Sequence, residues 1–171
     1  MRTIQEAAPS ILSWQQPRVF RREYELRAGD ELLATLRRSG AFGMPMDAEI
    51  GTARFTLKAE GFFRSRITVR EAGATGEPAV FSRVDFLGLG QQLALPNGRS
   101  YRWKKMSFWG SRWVFVDDSD RPLVSFTWRN RFFWIGCDVE IAPGVLARPE
   151  LPILVLLGWY LLLLRRRRRK G

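Results

Sequence analysis

The chain has 171 residues, the size of one domain, with 46% hydrophobic and 26% charged residues, so it can bury a core and is not disordered. It has no histidine and one cysteine, Cys137, which excludes Ser-His-Asp and Cys-His catalysis, histidine-ligated metals, internal disulfides and CxxC chemistry. The net charge of +11 favours anionic partners, and more than half of it sits in six consecutive cations: Arg165, Arg166, Arg167, Arg168, Arg169 and Lys170.

In chain order, residues 1–16 carry acidic Glu6 and no apolar run long enough for a secretory signal. With a single cysteine, this points to a reducing cytoplasm. Residues 18–141 then read as short strands broken by turns. The expected strands cover residues 19–27, 31–38, 50–58, 62–70, 79–86, 91–95, 100–106, 112–116, 123–128 and 132–141. Gly29-Asp30 and Pro96-Asn97-Gly98 are hairpin turn signals. Asp117, Asp118 and Asp120 supply turn chemistry between two later strands. They lack the glycine and distal glutamate of a calcium loop. About ten strands spaced 8–12 residues apart predict a closed or sandwiched antiparallel β structure. An echo between YELRAGDELLA (residues 24–34) and WVFVDDSDRPLV (residues 113–124) is either a repeated hairpin or ordinary meander.

Residues 151–164 (LPILVLLGWYLLLL) break the pattern. Eight of the fourteen are leucine and none is charged, Pro152 suits a first helical turn, and the arginines suit a last one. The expected helix covers about residues 150–165, with a basic tail at 165–171. Its apolar part spans about 21 Å at ~1.5 Å per residue, short of the ~30 Å bilayer core. A tail anchor would also push six cations across the membrane, against the positive-inside bias. Snorkelling arginine stems lengthen the reach, so a tail-anchored protein remains the alternative. A helix apolar on every side must be buried on every side. An eight-stranded barrel is filled by its own side chains, whereas about eleven strands can enclose a helix. Residues 1–171 are therefore expected to form one mainly β domain: a closed antiparallel barrel of about 10–12 strands around a central hydrophobic C-terminal helix. Leu154, Leu157, Trp159 and Leu161 are its structural core.

The order of elements resembles the tubby C-terminal-like superfamily, which includes LURP-one-related proteins and phospholipid scramblases. The residues carrying the resemblance are YELRAGDELLATL (24–36), GRSYRWKK (98–105), WVFVDDSDRPLVSF (113–126) and RPELPILVLLGWYLLLL (148–164). It implies a closed barrel of about twelve strands around a hydrophobic helix at the C-terminal end of the domain. It also implies little chemistry. Tubby domains bind phosphoinositides through basic residues, scramblases are associated with phospholipids and calcium, and no contact residue transfers to a position here.

The candidate ligand is anionic phospholipid or a membrane surface, with scaffolding as the other non-catalytic role. The candidate contacts are Arg165, Arg166, Arg167, Arg168, Arg169 and Lys170, joined by strand cations Arg102 and Lys104. Clusters of 4–8 cations beside an apolar segment add ~1 kcal/mol each near an anionic leaflet. A solvated helix stop is the plain alternative for the block, and nucleic acid is a weaker candidate partner. Eleven aromatics fall between Tyr101 and Trp134, interleaved with cations. Strand alternation turns Tyr101, Trp103, Phe126 and Trp128 inward and Arg102, Lys104, Thr127 and Arg129 outward, which makes the rings core rather than a base-stacking platform. Cys137 has no histidine to activate it and is expected to be buried. Asp47, Glu49 and Asp85 form no informative carboxylate cluster, and Gly88-Leu-Gly90 lacks the third glycine of a dinucleotide loop. No enzyme activity, cofactor or metal is expected.

Overall fold

Alternation of apolar and polar residues directs each strand. In MDAEI, Met46, Ala48 and Ile50 are buried while Asp47 and Glu49 face solvent, and ARFTLKAE repeats the pattern with Phe55, Leu57 and Ala59. The computed structural model of the chain describes residues 2–8, 10–18, 21–42, 44–60, 66–84, 90–106, 111–131 and 134–170. Val19, Phe20, Phe62, Asp85, Phe86, Gly88 and Phe132, on which parts of the expectations fall, lie outside the described residues.

A short helix α1 (Ile4–Ala7), capped by Thr3 and Glu6, precedes twelve strands. These are β1 (Leu12–Gln15), β2 (Glu23–Ala28), β3 (Glu31–Arg38), β4 (Met46–Ile50), β5 (Ala53–Glu60) and β6 (Arg66–Glu71). They continue with β7 (Ala79–Val84), β8 (Gly90–Ala94), β9 (Ser100–Lys105), β10 (Arg112–Val116), β11 (Pro122–Arg131) and β12 (Trp134–Ile141). Each strand pairs antiparallel with the next in sequence, and β1 pairs with both β2 and β12. This closes the ring and, among the described residues, leaves no edge strand to recruit other chains.

The twelve strands fall within the 10–12 expected for the barrel and are two more than the ten segments picked out along the sequence. β1 was hidden because LSWQ is four residues long and sits between Ile11 and Pro17. β4 was hidden because its acidic outer face, Asp47 and Glu49, lowers β propensity. The run expected from residue 50 is two strands meeting at Gly51, whose φ of +59° suits glycine. β2 begins at Glu23 rather than at residue 19, so Arg21 and Arg22 lie in the connection before it. Both echoing hairpins, β2–β3 and β10–β11, carry a register shift just before the turn, at Leu26/Arg27 and Phe115/Val116.

Helix α2 (Leu151–Lys170) is longer than expected: it runs on through the arginines, so the basic block is helical and not a separate tail. Every side chain from Leu154 to Leu164 is buried. Eleven consecutive helical residues point to all sides, so the protein must surround them. The contacts confirm it. Trp159 stacks on Trp14 of β1 (6.1 Å) and Trp128 of β11 (5.4 Å) and meets Tyr24 of β2 edge-on (5.5 Å). The Tyr160 hydroxyl donates to the Met44 carbonyl between β3 and β4, at 2.8 Å. Leu161 and Leu162 share a cavity with Ile67 of β6, Phe81 of β7 and Trp103 of β9. Leu154, Leu157, Trp159 and Leu161 are all buried within the barrel. Among the described residues, no helix is long and apolar enough to cross a membrane.

Candidate functional site at the basic end of the barrel

An up-and-down barrel has two ends, and α2 joins them. It starts beside the β8–β9 turn, where Glu150 is only 4% exposed. The Glu150 carboxylate accepts from the Tyr101 hydroxyl and from Arg99 Nη1 (3.0 Å), and Arg148 Nη1 donates to the Tyr101 oxygen (2.9 Å). The Glu150 carbonyl accepts the amide of Leu154, so this network fastens the first helical turn to β9. Burial alone would push the Glu150 carboxyl up, but hydrogen bonds from Tyr101 and Arg99 together hold it below the ordinary glutamate range. A carboxyl whose folded pKa is depressed gives stability that is present above its unfolded pKa and lost as pH falls through the folded one. Glu150→Gln is therefore expected to cost about 1–3 kcal/mol at neutral pH and to flatten the acid limb of stability. Urea unfolding of both proteins between neutral and acid pH measures this. Equal slopes would contradict it.

At the other end α2 leaves the barrel. Arg165 lies 4.7 Å above the Trp113 ring, and Arg166 lies 6.0 Å from that of Trp128. Each indole is half-buried and also stacks on a second indole, Trp113 on Trp103 and Trp128 on Trp159, and the guanidinium over the ring adds ~0.5–2 kcal/mol of cation–π attraction. Burial, with Arg169 one turn on, lowers the pKa of Arg165, which stays charged at physiological pH. Arg167, Arg168 and Arg169 are exposed beyond the mouth. The backbone of Lys170 ends the helix, and its side chain lies outside the described residues.

The cations that sequence reasoning missed are Arg18, Arg21 and Arg22. They line an outer groove of about 1090 Å³ together with Arg27, Arg37 and Arg38. Glu25 pairs with Arg27 and Glu23 with Arg37, both at 2.8 Å, and Arg38 donates to the Gly40 and Ala41 carbonyls. Arg18, Arg21 and Arg22 make no ion pair among the described residues. In sequence the signal is a PR..RR cluster at residues 17–22, of which Arg21 and Arg22 fall within the strand expected over residues 19–27. The groove and the helix end belong to the same pole. Tyr24, whose hydroxyl burial pushes up in pKa, feels the positive charge of both Arg166 and Arg22. Phe42, 93% exposed, and Met106 lie in connections at that pole.

Arg102 and Lys104 are not brought to this site. They stand on the outer face of β9 and converge on Asp120 in the β10–β11 turn, at 3.0 and 2.7 Å. Asp117 accepts from the amides of Ser119 and Arg121 and from the Arg121 guanidinium, so both carboxylates are engaged in the turn. Tyr101, Trp103, Phe126 and Trp128 face inward as expected. Cys137 is buried in β12, donates to the Asp138 carbonyl (3.4 Å), and is raised in pKa by burial. A protonated, enclosed thiol is inert.

Fold and site together define a twelve-stranded antiparallel barrel built around its own C-terminal helix, with a cationic pole where that helix emerges. No family model, curated protein or solved structure matches the chain.

Proposed function

We propose that the chain is a non-catalytic, tubby-like barrel that docks its cationic pole on anionic phospholipid at a membrane surface. The observation that carries this reading is the continuity of α2. One continuous helix, enclosed by the barrel along residues 154–164, carries residues 165–170 out at the pole that also bears the Arg18, Arg21 and Arg22 groove. Twelve strands around a C-terminal apolar helix are what the tubby-like resemblance implies, and they support it. A membrane interface suits the pole better than a polynucleotide does. Exposed Phe42 and Met106 gain from an apolar phase, while Trp113 and Trp128 are capped by guanidinia and are not open for base stacking. The location this supports is peripheral, on the cytoplasmic leaflet, where anionic lipids lie.

Vesicle flotation tests it. Vesicles containing phosphatidylserine should bind the protein and phosphatidylcholine vesicles should not, with binding falling as salt rises. At ~1 kcal/mol per cation, replacing Arg167, Arg169 and Lys170 by glutamine should weaken binding at least ~100-fold while the circular dichroism spectrum stays that of the folded protein. Equal partition onto both vesicle types, or none onto either, would contradict the proposal. So would a single-stranded oligonucleotide that binds more tightly than the vesicles and displaces the protein from them.

A further inference from the structure

Just inside the cationic pole, a cavity of about 270 Å³ lies between α2 and strands β6 to β10. Its walls are apolar: Ile67, Phe81 and Trp103 from the strands face Leu161 and Leu162 of the helix. Its outer lining is Arg165, Arg168 and Arg169, with Gln91 and the Trp113 ring beneath Arg165. No carboxylate lines it among the described residues. Further down the helix, at Gly158, the packing is tight: an added Cβ would overlap the Phe126 ring at 2.1 Å. The cavity opens where the helix meets the cations.

Such a shape has two chemistries in fixed order, a greasy interior and a positively charged opening. We infer that the cavity takes the chain of a single-chain anionic amphiphile, such as a fatty acid or an alkyl or acyl phosphate. The hydrocarbon fills the space beside Leu161 and Leu162, and the anionic head rests among Arg165, Arg168 and Arg169. The volume is near the lower end of small-ligand pockets, which suits one chain and not a two-chain phospholipid taken in whole. Guanidinium forks match a phosphate or carboxylate head, and a head held there leaves the deep part of the barrel dry. Arg165, already over Trp113 and partly desolvated, gains a counter-ion where burial now disfavours its charge. This inference rests on the reading that the helix end meets anionic lipid, and it adds a chain-binding site to it.

The probes are decyl phosphate and octyl phosphate below their micellar concentrations, with inorganic phosphate and decyltrimethylammonium as controls, followed by calorimetry. One molecule per chain should bind. Decyl phosphate should bind at least tenfold tighter than octyl phosphate, since each buried methylene contributes about fourfold. Inorganic phosphate and the cationic amphiphile should bind at least 100-fold more weakly. A decyl chain carrying bromine should quench tryptophan emission, through Trp103 and Trp113. Gln91→Trp, which fills the opening, should remove amphiphile binding while leaving vesicle flotation intact. Because that variant adds bulk to a barrel strand, Arg169→Glu on the exposed helix end provides a second reading, with at least a tenfold loss for decyl phosphate. Replacing Arg18, Arg21 and Arg22 by glutamate should do the reverse, weakening flotation and sparing decyl phosphate. Affinity independent of chain length, or equal binding of the cationic amphiphile, would overturn the inference. Vesicle binding without amphiphile binding would overturn the cavity site alone. Loss of both in the unmodified protein would overturn the docking reading with it.

Discussion

Replacing Leu157 by lysine is expected to leave no folded protein. Leu157 has no exposed surface and sits near the middle of the apolar part of α2, about two turns from the mouth. A lysine there cannot carry its amine to water, so it must be buried neutral, at a cost of several pKa units, about 4–7 kcal/mol. Loss of leucine packing adds about 2–5 kcal/mol. Together these come to about 6–12 kcal/mol, most or all of the roughly 5–15 kcal/mol of stability a domain of this size commands. The same substitution at Leu164, 7% exposed and next to Arg165, lets the amine snorkel out of the mouth and should cost less than about 2 kcal/mol. Circular dichroism and urea unfolding of the two variants check this. A helix lying on an outer wall would show no such gradient along its length.

Gly158→Ala is the second large effect, and its sign is informative. In a solvent-exposed helix this change stabilises by about 1 kcal/mol, because alanine is the better helix former. Here an added Cβ would stand 2.1, 2.4 and 2.7 Å from Cζ, Cε2 and Cε1 of Phe126. That ring cannot swing away cheaply, since Trp103 at 5.5 Å and Phe115 at 6.3 Å hold it in the barrel wall. Overpacking should outweigh propensity, giving a net loss of about 1–3 kcal/mol for alanine and more for valine. Phe126→Leu should relieve the clash, so the double variant should be at least ~1 kcal/mol more stable than the sum of the single losses. A stabilising Gly158→Ala would contradict the enclosed helix.

Much of the architecture was legible because two signals were unambiguous. LPILVLLGWYLLLL is apolar on every helical face, which demands a complete surround, and strand-and-turn spacing from Glu23 to Ile141 supplies a wall to do it. What escaped was short or shared its signal with something else. LSWQ and MDAEI are too brief or too acidic to announce themselves, yet β1 is the strand that closes the ring. The arginine block read as a tail because charge alone does not distinguish a solvated coil from a helix already nucleated by the preceding turns. Arg102 and Lys104 looked available by alternation, but Asp120, sixteen residues after Lys104, meets them only once the β9–β10–β11 register is set. The groove of Arg18, Arg21 and Arg22 required knowing where β2 begins. Partnering between distant residues is a property of closure, which local pattern does not encode.

The most direct test of the central claim is the set of nuclear Overhauser contacts from the side chains of residues 154–164 in isotope-labelled protein. One helix should see the whole ring: Trp159 to Trp14, Tyr24 and Trp128, Tyr160 to Met44, and Leu161 to the Ile67, Phe81 and Trp103 region. Contacts confined to two or three adjacent strands, or absent altogether, would place the helix outside the barrel and contradict it.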